Sequence, residues 1–131
     1  MKRIILISTA ILFLCSVSGN ASDFKNGKIA VASSGKTEKA SVSNRAAKCP
    51  YYILFDSKGE LIEVIDNAYA DASGGAGPSA GNFLAETGVT MAIAGNFGSK
   101  MTNTLKNNSI TLFRFKGSVG DAVKTALEGR K

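Results

Sequence analysis

Histidine and tryptophan are absent from this chain of 131 residues, and cysteine occurs only twice. Without histidine there is no imidazole to act as general acid or base near neutral pH, and no zinc site that needs one. Cys15 lies in an N-terminal leader, so once the leader is removed Cys49 stands alone. A lone thiol cannot close a disulfide within its own chain; it is buried, paired with another chain or chemically used. Long apolar stretches are missing too. The run from Ile4 to Cys15 is about 12 residues and is interrupted by Ser8 and Thr9, short of the ~20 that cross a bilayer comfortably. No internal repeat, G-x-G-x-x-G or Walker A pattern is present. Convergent carboxylates are lacking as well. Asp56 and Asp66 lie at the ends of strand-like runs with no well-placed third acid, whereas two-metal nuclease chemistry needs several.

The first residues form a leader. Met1-Lys2-Arg3 is basic, the apolar run follows, and Ser16 to Ala21 is small and polar. Gly19 and Ala21 occupy the −3 and −1 positions of a cut after Ala21. This is the pattern of a secretory signal peptide, and it predicts a periplasmic protein with no stable membrane anchor after cleavage. A lipoprotein cut before Cys15 would want a small residue just ahead of it, and Leu14 stands there. Residues 22–131 then make a single domain of about 110 residues, enough for a real core. Loss of Lys2 and Arg3 takes the positive charges from 16 to 14 against 10 acids, a net charge of about +4 that favours anionic partners.

Along the mature chain, Lys28 to Ser33 is apolar on both faces, as a central strand is. Ser34 to Lys48 is a long polar loop with Lys36, Lys39, Arg45 and Lys48 against Glu38 alone. Loops of that length in small domains are functional or mobile. Cys49-Pro50 leads into a second strand, Tyr51 to Asp56. Asp56 to Gly59 is a hairpin turn, and Leu61 to Ile65 a third strand with Glu63 on a solvated edge. Asn67 to Ser73 is a polar connection. Gly74-Gly75-Ala76-Gly77-Pro78 then opens a helix, with Pro78 at its first position. Ala80, Phe83 and Leu84 form that helix's apolar face, and Gly88 ends it. Val89 to Ala94 is an internal strand running into a second glycine-rich turn, Gly95-Asn96-Phe97-Gly98. A short helix turns Met101 and Leu105 inward and stops at Asn107-Asn108. A fifth strand covers Ile110 to Phe115. Ser118 and Asp121 start a last helix with Val119, Ala122, Val123, Ala126 and Leu127 on one face.

Three strands followed by α-β-α-β-α predict a mixed sheet with helices on its faces. Ligands of such sheets sit at the carboxyl ends of the parallel strands. That edge gathers the basic loop and both glycine turns, whose free main-chain N–H groups suit an anion. Each feature also has a plainer reading: Gly74 to Pro78 as a tight connection, the loop as a solvated surface, Cys49 as a small buried hydrophobe.

The ordered run Gly74-Gly-Ala-Gly, Ala80, Leu84-Ala85, Gly88-Val89, Ile93-Ala-Gly95-Asn-Phe-Gly98, Leu105, Ile110, Val119 and Ala122-Val123 resembles the dinitrogenase iron–molybdenum cofactor biosynthesis family, which includes orange-protein-like domains. Lys28 to Ser33 and Cys49-Pro50-Tyr51-Tyr52-Ile53 resemble it as well. The likeness extends from Lys28 to Leu127. It implies an α/β, ribonuclease H-like three-layer fold, a five-stranded sheet of order 3-2-1-4-5 and about three helices. It also implies a non-enzymatic domain that binds or carries an anionic metal–sulfur cluster containing molybdenum or iron, with a protein acceptor of that cluster as a partner. Asn44 to Lys48 keeps the positive charge of the family's Arg-Phe-Gly-Arg-like segment without its Phe-Gly.

The resulting expectation is an exported cluster-binding domain. Arg45 and Lys48 supply charge. Gly74, Gly75, Ala76, Gly77, Gly95, Asn96 and Gly98 supply main-chain donors. Cys49, as a thiolate favoured by its basic neighbours, is the expected metal ligand. The alternative is a periplasmic interaction or regulatory domain that binds no metal. No nucleic-acid partner is expected, because fold alone does not carry function.

Overall fold

The computed structural model describes residues 27–129, and the expected leader lies outside them. The strands are β1 (Lys28–Ser33), β2 (Tyr51–Phe55), β3 (Leu61–Asp66), β4 (Val89–Ala94) and β5 (Thr111–Arg114). The helices are α1 (Ala76–Thr87), α2 (Ser99–Asn107) and α3 (Val119–Glu128). One mixed sheet has the order β3-β2-β1-β4-β5. β1 pairs antiparallel with β2 and parallel with β4; β3 and β5 are the edges. The expected strand order and helix count are the observed ones, and Glu63 is exposed on the β3 edge.

Strand alternation divides the core in two. Ala30, Ala32, Tyr52, Leu54, Ala92 and Ala94 face α1 and α2, meeting Ala80, Leu84, Met101 and Leu105. Ile29, Val31, Ile53, Phe55, Met91 and Ile93 face α3, meeting Val119, Ala122, Val123 and Ala126. The residue sizes fit the layers. Four alanines on the first face leave depth for two helices side by side, while the bulkier second face takes one.

The helix termini follow local chemistry. Gly75, at φ 73, caps the start of α1, so Pro78 is the third helical residue rather than the first. The substitution of position is tolerated because no N–H in the first turn has an intrahelical acceptor. Gly88, at φ 92, closes α1, and Lys28 Nζ donates to the Thr87 carbonyl at 3.1 Å, a cation at the negative end of the dipole. The Ser118 hydroxyl accepts from the Asp121 N–H at 3.2 Å, as the sequence pattern predicts. At the β2–β3 hairpin, Asp56 Oδ1 accepts from the Lys58 and Glu60 N–H groups, each at 2.9 Å. These donors hold the Asp56 carboxyl below its usual range.

The long loop is not structureless. Val42 N–H donates to Gly117, Ser43 N–H to Ala32, and Gly95 N–H to Ser43, each at 2.8 Å. Ser33 bridges Val42, and Ser41 bridges Ser118. The loop is thereby laid across the carboxyl ends of β1 and β4 as a folded wall. Polar composition hid this because the anchoring bonds are main-chain and carry no residue signature.

Candidate functional site

The basic turn is built locally first. Ser43 Oγ accepts from the Arg45 N–H at 3.1 Å, setting the bend that presents Arg45. Gly95 sits under Asn44: a Cβ at 95 would lie 3.1 Å from Asn44 Cα and overlap its side-chain oxygen. Only glycine lets the loop settle on the end of β4. Ala46 N–H then donates to the Asn96 carbonyl at 3.2 Å, joining the basic turn to the second glycine turn.

Together these segments line a pocket of about 210 Å³ formed by Asn44, Arg45, Ala46, Ala47, Lys48, Asn96 and Gly98. Gly98 is the N-cap of α2, and no side chain caps that helix; α1 likewise lacks a side-chain cap. The start of α3 differs. Its Val119 and Gly120 N–H groups donate to the Ala40 and Glu38 carbonyls, each at 2.9 Å. The two helices without a side-chain cap begin side by side, because Gly77 of α1 is pressed against Met101 of α2, where a Cβ would lie 3.0 Å from the Met101 nitrogen. Two basic residues and a positive helix end therefore line one pocket at the carboxyl edge of the sheet.

Not every expected residue joins them. Arg45, Lys48, Asn96 and Gly98 line the pocket, and Gly95 supports it from beneath. Gly74, Gly75, Ala76 and Gly77 do not line it. Among these glycines only Gly75 has left-handed backbone, while Gly77 is used for helix packing. Lys36 is drawn off onto the Tyr51 ring, 5.4 Å from its centroid.

The expected Cys49 thiolate is corrected. Cys49 is 0% exposed, beneath the basic turn rather than in the pocket. Burial pushes its thiol from 9.0 up to about 11, so it is protonated at neutral pH. Arg45 is solvent-exposed and Lys48 half-buried, and desolvation in the core outweighs any attraction from them. Cys49 Sγ lies 3.7 Å from the Ala46 carbonyl, which also accepts from the Tyr52 hydroxyl. Tyr52 is likewise buried, which raises its phenol well above the usual range.

Asn67, which the sequence pattern passes over as part of a polar connection, is buried here. Its Nδ2 donates to the Ala47 and Cys49 carbonyls, each at 2.8 Å, and its Oδ1 accepts from the Tyr69 N–H at 3.0 Å. A lone asparagine in a polar stretch carries no signal of such a role. Among the described residues no three His, Cys, Asp or Glu side chains converge as a metal site, and no helix is long and apolar enough to cross a membrane.

Residues 27–129 match the family described as dinitrogenase iron–molybdenum cofactor, and the chain belongs to that family. The family is one of accessory and carrier domains rather than enzymes. A Thermotoga protein provisionally named NifB is 36% identical, with a TM-score of 0.69 over 79% of this chain and 90% of its own. The apo orange protein of Desulfovibrio gigas is 27% identical, with a TM-score of 0.74 over 80% of this chain and 90% of its own. A Methanocaldococcus jannaschii protein provisionally described as a dinitrogenase, at 18% identity and a TM-score of 0.56 over 79% of this chain and 90% of its own, shares the fold. No curated protein matches the chain.

Proposed function

We propose that this domain is an exported carrier of a small anionic metal–sulfur cluster containing molybdenum or iron, which it passes to a protein acceptor. The observation that carries this reading is the meeting of Arg45 and Lys48 with Asn96 and Gly98 at the N-terminus of α2. Cations and main-chain donors recognise total charge and leave a cluster's own coordination intact, which suits cargo that must be released. The second glycine turn supplies the donors next to the cations. Gly74 to Gly77, one helix over, extends the donor surface for a larger anion. Cys49 takes no part while it is buried and protonated. Its role is to fill the core beneath the turn.

Family membership supports the class of cargo, and the basic leader with its small-residue cut supports export. The test is elemental mass spectrometry and visible absorption of the protein isolated from its native host. Molybdenum or iron with sulfide-to-metal absorption is the expected result. Metal-free protein from cells that supply both metals would favour the interaction-domain reading.

A further inference from the structure

We propose that Asn67 is the positioning residue of the pocket, holding the cation-bearing turn 46–49 in fixed register with the segment that leads to α1. This rests on the pocket being the anion site. The geometry is a two-sided clamp. On one side, the carboxamide N–H₂ spans the Ala47 and Cys49 carbonyls, each at 2.8 Å, on either flank of Lys48. On the other, Oδ1 receives the Tyr69 N–H at 3.0 Å. The main chain completes it: Asn67 N–H donates to the Pro50 carbonyl at 3.0 Å, Ala70 N–H to Asn67 at 3.2 Å, and Ala72 N–H to Tyr69 at 3.1 Å. These bonds wind residues 67–72 into a turn that delivers the chain to Gly74, Gly75 and α1.

At 7% exposure, water is a poor substitute for the carboxamide. Both N–H donors have carbonyl partners and the oxygen accepts a main-chain N–H, which fixes the orientation of the side chain. Aspartate at this position would face two carbonyl oxygens with a carboxylate. Alanine would leave both carbonyls without their donor. In each case the turn that carries Lys48, and that roofs Cys49, loses its side-chain tie to the β3–α1 connection. Asn67 touches no pocket volume itself, so it acts through Lys48 and the Ala47 wall.

The experiment compares the leader-cleaved protein with its Asn67→Ala and Asn67→Gln variants by two readouts. The first needs no ligand: the rate at which iodoacetamide alkylates Cys49, with hydrogen exchange of the β1 amides as the check on global folding. Release of the turn predicts at least a tenfold faster alkylation in Asn67→Ala while β1 protection stays native. Asn67→Gln, with the carboxamide displaced by one methylene, gives a smaller change in the same direction and decides the matter if the alanine variant does not fold. The second readout is titration with inorganic molybdate, for which Asn67→Ala predicts a tenfold weaker affinity. Unchanged alkylation in folded variants overturns the positioning role. Faster alkylation with no molybdate binding by any protein, the parent included, upholds the positioning of the turn and overturns the anion-site reading instead. Faster alkylation with parental affinity shows that the turn's register does not serve binding, and overturns the proposal.

Discussion

Gly77 of α1 stands directly against Met101 of α2, with room for no side chain between them: a Cβ at 77 would lie 3.0 Å from the Met101 nitrogen. This contact sets how closely the two helix N-termini approach. Gly75, two residues earlier, has open space around it and left-handed backbone at φ 73. The two glycines therefore fail differently. Gly75→Ala should cost about 1–2 kcal/mol through backbone strain and leave anion affinity at the parental value. Gly77→Ala should cost about 1–3 kcal/mol through overpacking and also weaken anion binding, because the N-terminus of α2, whose cap lines the pocket, is displaced. Chemical denaturation and molybdate titration on both variants check the contrast.

Arg45 and Lys48 should each contribute to affinity through charge. Arg45→Ala and Lys48→Ala are expected to weaken molybdate binding about five- to tenfold each, on the order of 1 kcal/mol apiece, and to flatten its salt dependence. Lys39→Ala, in the same loop but outside the pocket lining, should leave the affinity within twofold. Equal losses from all three would mean diffuse attraction to a basic loop rather than a site.

Cys49 predicts an alkaline signature. Its folded value of about 11 lies above the unfolded value of 9.0. The stabilisation is complete below pH 9 and is lost as pH rises through the folded value, about 3 kcal/mol in all. Tyr52, also raised by burial, adds loss in the same direction at higher pH. The stability gap between the parent and Cys49→Ala should therefore narrow between pH 9 and 11 in urea melts. Cys49→Ser should lower stability by about 1–3 kcal/mol through a buried, poorly partnered hydroxyl, with metal loading unchanged. Lost loading at full stability would restore the thiol as a ligand.

Export is checked by intact mass. Protein made in its native host should begin at Ser22 or within a residue or two. A retained full-length chain would contradict the leader.

Element order and helix count were legible because β1 and β4 are apolar on both faces and the helices show clear periodicity, with Gly88 and Ser118 as punctuation, whereas the strand order followed from the family resemblance. Pro78 stands third in α1 rather than first, since proline is compatible with several places in a first turn. Arg45, Lys48, Asn96 and Gly98 were legible as a set because charge and glycine are compositional signals at a known edge of the sheet. The burial of Cys49 and the clamp of Asn67 were not. Both depend on which way a side chain points at a bend, and the bend is set by main-chain bonds from Ala46 and Ser43 to residues far along the chain.

The most direct test of the anion site is an amide-resolved NMR titration of the mature domain with molybdate and thiomolybdate at low ionic strength. The account predicts saturable shifts centred on Arg45 to Lys48 and Asn96 to Lys100, with smaller ones at Gly74 to Gly77. Saturable shifts centred elsewhere, or none at millimolar anion, would contradict it.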